Sequence, residues 1–147
     1  MGNAKAIIFP TDFSDLSEAS WPWVQRLAAV LDAEVHCIYV VEPPVIYGTL
    51  GMEATVLPTA EELSESARQR LDDFTKEHAS QVAGGIIGKI LVGRPSESIV
   101  EYSDSVDSAL IVMSTHGYSG LKHVVLGSTT EAVLRHAQCP VLSVPRH

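Results

Sequence analysis

Short, continuously apolar runs alternate along this chain with segments of helical period, and that alternation restricts the fold more than any other feature. Ala6-Ile7-Ile8-Phe9-Pro10 and Ala109-Leu110-Ile111-Val112-Met113 contain no polar side chain. A strand wetted on one side would alternate apolar and polar residues, so both runs read as strands covered on both faces. Residues 34–41, 86–92 (weakened by Gly88) and 140–145 read as three more strands. Between them the period changes. Trp23, Leu27, Val30 and Leu31 fall on one helical stripe that Ser14 or Asp15 can cap, and Pro22 requires a kink or a helix that begins near Trp21. Thr59-x-x-Glu62 is a capping box ahead of Leu63, Ala67, Leu71, Phe74 and His78. A short helix with Ile99 and Val100 follows the turn Gly93-Arg94-Pro95, and Ser128-x-x-Glu131 is a second capping box, ahead of Val133 and Leu134.

The order β-α-β-α-β-α-β-α-β predicts an α/β fold: a doubly wound, five-stranded parallel sheet with helices on both faces and right-handed crossovers. At 147 residues the chain has the length of one domain, expected over 1–147. Residues 42–59 are irregular, broken by Pro43, Pro44, Gly48, Gly51 and Pro58, and long enough to cover a site. Residues 114–126 form a loop with about one helical turn. The last strand lies between Pro140 and Pro145, as edge strands tolerate, and Val141, Leu142 and Val144 make it a surface for pairing.

Charge narrows the partners. Ten Lys and Arg against eighteen Asp and Glu give a net charge of −8. Such a chain lacks the basic footprint that polymeric nucleic acid or an anionic membrane surface requires. The two cysteines, Cys37 and Cys139, have no metal-binding or disulfide-scaffold spacing, and no apolar run approaches a membrane span. A cytoplasmic protein is expected. A small anion remains acceptable where backbone donors make a local positive pocket.

In open α/β sheets ligands bind beyond the carboxyl ends of the strands, where the winding direction reverses. That rule selects Pro10-Thr11-Asp12, Val40-Val41-Glu42, Gly93-Arg94-Pro95 and Ser114-Thr115-His116-Gly117, opposite the helix entry Gly127-Ser128-Thr129. The sharpest pattern is Ser114-x-x-Gly117, nine residues, then Gly127-Ser128. Glycine permits close backbone approach, and the free N–H groups of a helix start suit a phosphate.

With Phe9-Pro10-Thr11-Asp12-Phe13-Ser14, Gly93-Arg94-Pro95, the Ser114 to Glu131 pattern and Cys139-Pro140-Val141 in this order, the chain resembles the universal stress protein family over nearly its whole length. The resemblance implies the adenine-nucleotide α-hydrolase-like fold of that family and ATP, with magnesium, as ligand of a dimeric stress-response switch. It implies that Gly117, Gly127, Ser128 and Thr129 hold the phosphates. Asp12 and the Val40 backbone would meet the adenosine, lined by Pro10 and Thr11. Gly93, Met113, Ser114 and His116 complete the expected nucleotide set. It also implies a homodimer joined through Val141, Leu142, Ser143 and Val144. Where ATP-binding members carry their first glycine, this chain has Ser114, which fits if its φ stays negative and whose hydroxyl could donate to a phosphate.

Blander readings stay open from the residues alone. Ser128 with Glu131 is explained by helix capping, Gly117 and Gly127 by turns, Asp12 by capping of the first helix, and His116 by solvation. A dimeric interaction module of the same family with no nucleotide is the alternative function. For an enzyme, the sequence offers neither Gly-x-x-x-x-Gly-Lys-Ser/Thr nor Gly-x-Gly-x-x-Gly, Gly-x-Ser-x-Gly or His-Glu-x-x-His. No catalytic residue is expected, and no protein metal ligand beyond Asp12 helping to place magnesium, so at most slow ATP hydrolysis.

Overall fold

The computed structural model describes residues 5–44, 57–116 and 126–145. Five strands, β1 (Ala6–Pro10), β2 (Glu34–Val41), β3 (Ile86–Val92), β4 (Ser108–Ser114) and β5 (Val141–Val144), form one sheet in the order β3-β2-β1-β4-β5. Every pairing is parallel. The helices are α1 (Asp15–Glu18), α2 (Trp21–Leu31), α3 (Ala60–His78), α4 (Pro95–Ser105) and α5 (Ser128–His136). The winding proceeds outward from β1 through β2 to β3, then returns to the other side of β1 for β4 and β5. The reversal lies between β1 and β4.

Alternate side chains of a strand point to opposite faces, which explains the unbroken apolar runs. Ile7 and Phe9 join Trp21, Val24, Ala28, Leu71 and Phe74 on the α2–α3 side. Ala6 and Ile8 join Ile99, Ile111, Met113 and Val133 on the α4–α5 side. The side chains of Ile7, Ile8 and Phe9 are fully buried, so each contributes about 1.5–3 kcal/mol of transfer free energy.

Helix α2 departs from expectation. It begins at Trp21 with Pro22 in its first turn, as one of the two predicted solutions requires. Yet the buried face is Trp21, Val24 and Ala28, while Trp23 is 45% and Val30 80% exposed. Leu27 is partly buried against the core and Leu31 lies outside it. The helix is apolar on two stripes, and contacts distant in sequence choose between them. The Trp21 ring packs against Phe9 at 5.6 Å and Phe74 at 5.2 Å, and its indole N–H donates to Gln81 Oε1 at 2.7 Å.

The predicted capping box on α3 is present: Glu62 N–H donates to Thr59 Oγ1 and Thr59 N–H to the Glu62 carboxylate. Ser14 caps α1 by accepting from Ser17 N–H. The second predicted box is absent. Gly127, not Ser128, is the N-cap of α5, and no side chain caps that helix. Glu131 instead accepts from Arg135 at 2.8 Å.

Strand β5 occupies an edge, as expected. Val141, Leu142 and Ser143 are half-buried, but Val144 is buried in the core on the α2–α3 side. Its carbonyl accepts from Thr115 N–H at 3.0 Å, so Val144 is committed to the sheet and core of its own chain.

Candidate functional site at the sheet reversal

A cleft of about 360 Å³ opens over the carboxyl ends of the strands, where the winding reverses. β1 and the segment after it contribute Pro10, Thr11 and Asp12; β2 contributes Val40; β4 and its extension contribute Met113, Ser114 and His116; the entry to α5 contributes Gly127, Ser128 and Thr129. These predicted residues are brought together. Gly93 is not among the lining. It forms the turn between β3 and α4 with φ +149°, and a Cβ there would sit 2.8 Å from Ser98 Oγ. Gly117 lies outside the described residues, as does most of the expected covering stretch 42–59.

The segment after β1 is wired internally. Thr11 N–H continues the sheet by donating to Ile38 O at 2.9 Å. Thr11 Oγ1 accepts from Phe13 N–H at 3.0 Å and Ser17 Oγ at 2.9 Å. One Asp12 oxygen, Oδ1, accepts from Ser14 N–H at 2.9 Å and from the Ser14 hydroxyl. Asp12 is therefore fixed by Ser14, which is itself the helix cap. Its Oδ2 has no hydrogen-bond partner among the described residues. Phe13 turns this corner with φ 59°, a conformation that costs a bulky L residue about 1–3 kcal/mol.

Across the cleft, Ser114 keeps a negative φ, so its Cβ causes no backbone strain. Its hydroxyl donates to His116 O at 2.7 Å and is spent within its own bend. His116 Nδ1 lies 3.0 Å from the Thr115 hydroxyl. Gly127 N–H donates to Thr115 O, and Thr130 Oγ1 donates to Ser114 O at 2.8 Å. These two bonds hold the start of α5 against the end of β4. Gly127 sits at φ −67°, ψ 152°, ordinary extended geometry that needs no glycine. The first turn of α5, Ser128 to Thr130, thus presents backbone N–H groups with no capping side chain, at the positive end of the helix dipole.

The lining also includes Glu42 and Pro95, from strand ends that the reversal rule selected, and Ser17, Ile38, Tyr39, Ile99 and Thr130, which the sequence did not mark. Pro95 and Ile99 enter because α4 also begins at the cleft, again without a side-chain cap. Thr130 lay hidden inside the supposed capping box; no local pattern marks a hydroxyl that bonds sixteen residues away. Asp12 and Glu42 are acidic, and no Lys or Arg lines the cleft among the described residues. Among the same residues, no group of three His, Cys, Asp or Glu side chains is placed to hold a metal, and no helix is long and apolar enough to cross a membrane.

The titratable groups with displaced pKa values lie elsewhere. Burial pushes the Cys37 thiol up to about 12. Burial, reinforced by the Glu34 carboxylate, raises Tyr102. Tyr102 bonds His36 Nδ1 at 2.9 Å while Glu34 meets Nε2 at 2.7 Å, so the buried imidazole is satisfied at the start of β2, away from the cleft.

The comparisons agree with this architecture. The model of the Universal stress protein family matches residues 3–145. A universal stress protein of Methanocaldococcus jannaschii, MJ0531, is 37% identical over 97% of this chain and 82% of its own length. The structure of UspA from Lactobacillus plantarum superposes with a TM-score of 0.79 at 26% identity, over 98% of this chain and 99% of that one. Two further neighbours carry ligands. A universal stress protein in complex with cAMP has a TM-score of 0.71 at 22% identity, covering 98% of each chain. One from Archaeoglobus fulgidus in complex with dAMP has a TM-score of 0.66 at 18% identity, covering 97% of this chain and 98% of that one. With the family pattern running through β1, the cleft and β5 alike, this chain belongs to the universal stress protein family.

Proposed function

We propose that the protein binds an adenine nucleotide in the cleft, ATP with magnesium foremost, and acts as a cytoplasmic, dimeric stress-response switch that reads nucleotide occupancy. The observation that carries this reading is the uncapped first turn of α5 at the sheet reversal. Where α1 and α3 are closed by Ser14 and Thr59, α5 offers its N–H groups to the cleft. An anion there gains charge-assisted hydrogen bonds at the positive end of a helix dipole. The adenine nucleotides named for the two liganded neighbours support the ligand class.

In this reading the backbone of Ser128 and Thr129 holds phosphate oxygens, aided by their hydroxyls and by Gly117. Asp12 Oδ2 and the Val40 backbone receive the adenosine, with Pro10, Thr11 and Met113 forming the wall. Magnesium fits the donor set, because a cleft with Asp12 and Glu42 and no described Lys or Arg needs a cation to balance a triphosphate. When bound, it would supply that charge balance beside the phosphates, with Asp12 Oδ2 left to the adenosine. The homodimer forms by edge pairing of β5, with Leu142 at the seam.

The test is calorimetric titration of the purified protein with ATP, with and without magnesium. Binding that weakens at least tenfold when EDTA removes the cation supports the reading; no heat at millimolar nucleotide rejects it. One observation favours the second reading, an interaction module with an empty cleft: the Ser114 hydroxyl is spent on His116 O and gives a phosphate nothing.

A further inference from the structure

The corner after β1 holds a strained aromatic residue, and three elements converge on it. Phe13 has φ 59°. Its ring stacks on Tyr39 of β2, with centroids 5.1 Å apart and planes 20° from parallel. The guanidinium of Arg70, on α3, lies 4.5 Å from the centre of the same ring. Arg68, Arg94 and Arg135 each meet a glutamate, whereas Arg70 has no ion pair among the described residues. Arg70 is exposed and does not line the cleft.

The left-handed turn at Phe13 has a direct consequence for the cleft. It sends Phe13 N–H back to Thr11 Oγ1 and brings Ser14 N–H and hydroxyl onto Asp12 Oδ1. A relaxed φ at Phe13 would carry Ser14 away and release the Asp12 carboxylate. Contacts on the ring must therefore offset the backbone strain for Asp12 to keep its aim.

We infer that Arg70 and Tyr39 clamp the Phe13 ring and so position Asp12 for the ligand, which makes Arg70 a positioning residue for a site it does not touch. The inference rests on the nucleotide reading above, and deepens it by linking α3 to the cleft.

The experiment measures affinity for magnesium-ATP and thermal stability in the full chain and in Arg70→Gln, Arg70→Lys, Phe13→Leu, Phe13→Tyr and the double variant Arg70→Gln/Phe13→Leu. Arg70→Gln is expected to weaken binding about three- to five-fold, the range of an exposed cation–ring contact. Phe13→Leu should weaken it about tenfold, since ring contact and the backbone turn are both lost. Arg70→Lys and Phe13→Tyr should stay within about twofold of the parent, because each keeps the cation over an aromatic face. The double variant should be no weaker than Phe13→Leu alone, since Arg70 acts only through the ring.

Three results overturn the proposal while leaving the nucleotide reading intact. One is unchanged affinity in Arg70→Gln, with or without a lower melting temperature. Another is an equal loss from Arg70→Gln on the Phe13→Leu background, which would mark a long-range charge effect. The last is failure of Arg70→Lys and Phe13→Tyr to preserve binding. Should Phe13→Leu fail to fold, the Arg70 variants and Phe13→Tyr still decide the matter. Failure of the parent protein to bind nucleotide overturns the nucleotide reading and this proposal with it.

Discussion

Giving α5 the cap it lacks should raise stability and abolish ligand binding together. The substitution is Gly127→Asp. Gly127 sits at φ −67°, ψ 152°, close to Ser14 at φ −77°, ψ 157° and Thr59 at φ −70°, ψ 162°, both of which cap their helices. An aspartate at this position needs no backbone change, and its carboxylate accepts from the N–H groups of the first turn. Replacing a glycine cap gains a few tenths of a kcal/mol, and the negative charge at the helix start adds about 0.3–1 kcal/mol. The sum is about 1 kcal/mol, or about 2–4 °C in melting temperature for a chain of this length. Binding should move the other way. A phosphate loses at least two charge-assisted hydrogen bonds, about 1.5–3 kcal/mol each, and meets a like charge. The expected loss is at least 100-fold in affinity for magnesium-ATP. Thermal melting and calorimetry on the same preparation read both quantities, and Gly127→Ser, a neutral cap, should fall between. Unchanged affinity in a stabilised Gly127→Asp protein would refute the assignment of the α5 terminus. A lowered melting temperature would show that those N–H groups already have a partner.

Other expectations are simpler. On the proposed dimer, Leu142→Lys would place a charge in the β5 seam and shift the sedimentation profile toward monomer; an unaltered profile would reject that seam. Because folding raises the Cys37 pKa to about 12, the neutral thiol stabilises the fold below about pH 9. That contribution is lost as the pH rises toward 12, so denaturation midpoints should fall over this window. They should fall less steeply in Cys37→Ala, and an identical slope would deny the thiol its role. Trp21→Ala should cost about 3–5 kcal/mol, as for a buried aromatic residue, whereas Trp23→Ala, half exposed, should cost less than about 1 kcal/mol by urea denaturation. Equal costs would mean that the helix buries the stripe the periodicity first suggested.

The sequence by itself determined the features whose causes lie within a few residues. The solid apolar runs at 6–10 and 109–113 require strands covered on both faces, and Thr59 with Glu62 forms its capping box from residues three apart. The alternation of strand and helix then implies a parallel sheet, and the reversal rule places Pro10, Asp12, Val40, Ser114 and Gly127 around one cleft. Tertiary structure decided whatever depends on a partner remote in sequence. Trp21 rather than Trp23 faces the core because Gln81 accepts its indole N–H and Phe74 flanks its ring. Glu131 turned from the supposed box to Arg135, Gly127 became the cap, and Thr130 reached back to Ser114. Gly93 served its own turn, and Phe13 took a left-handed conformation held by Tyr39 and Arg70. Periodicity records which residues can face inward together; only packing decides which apolar stripe is buried and which donors are left for a ligand.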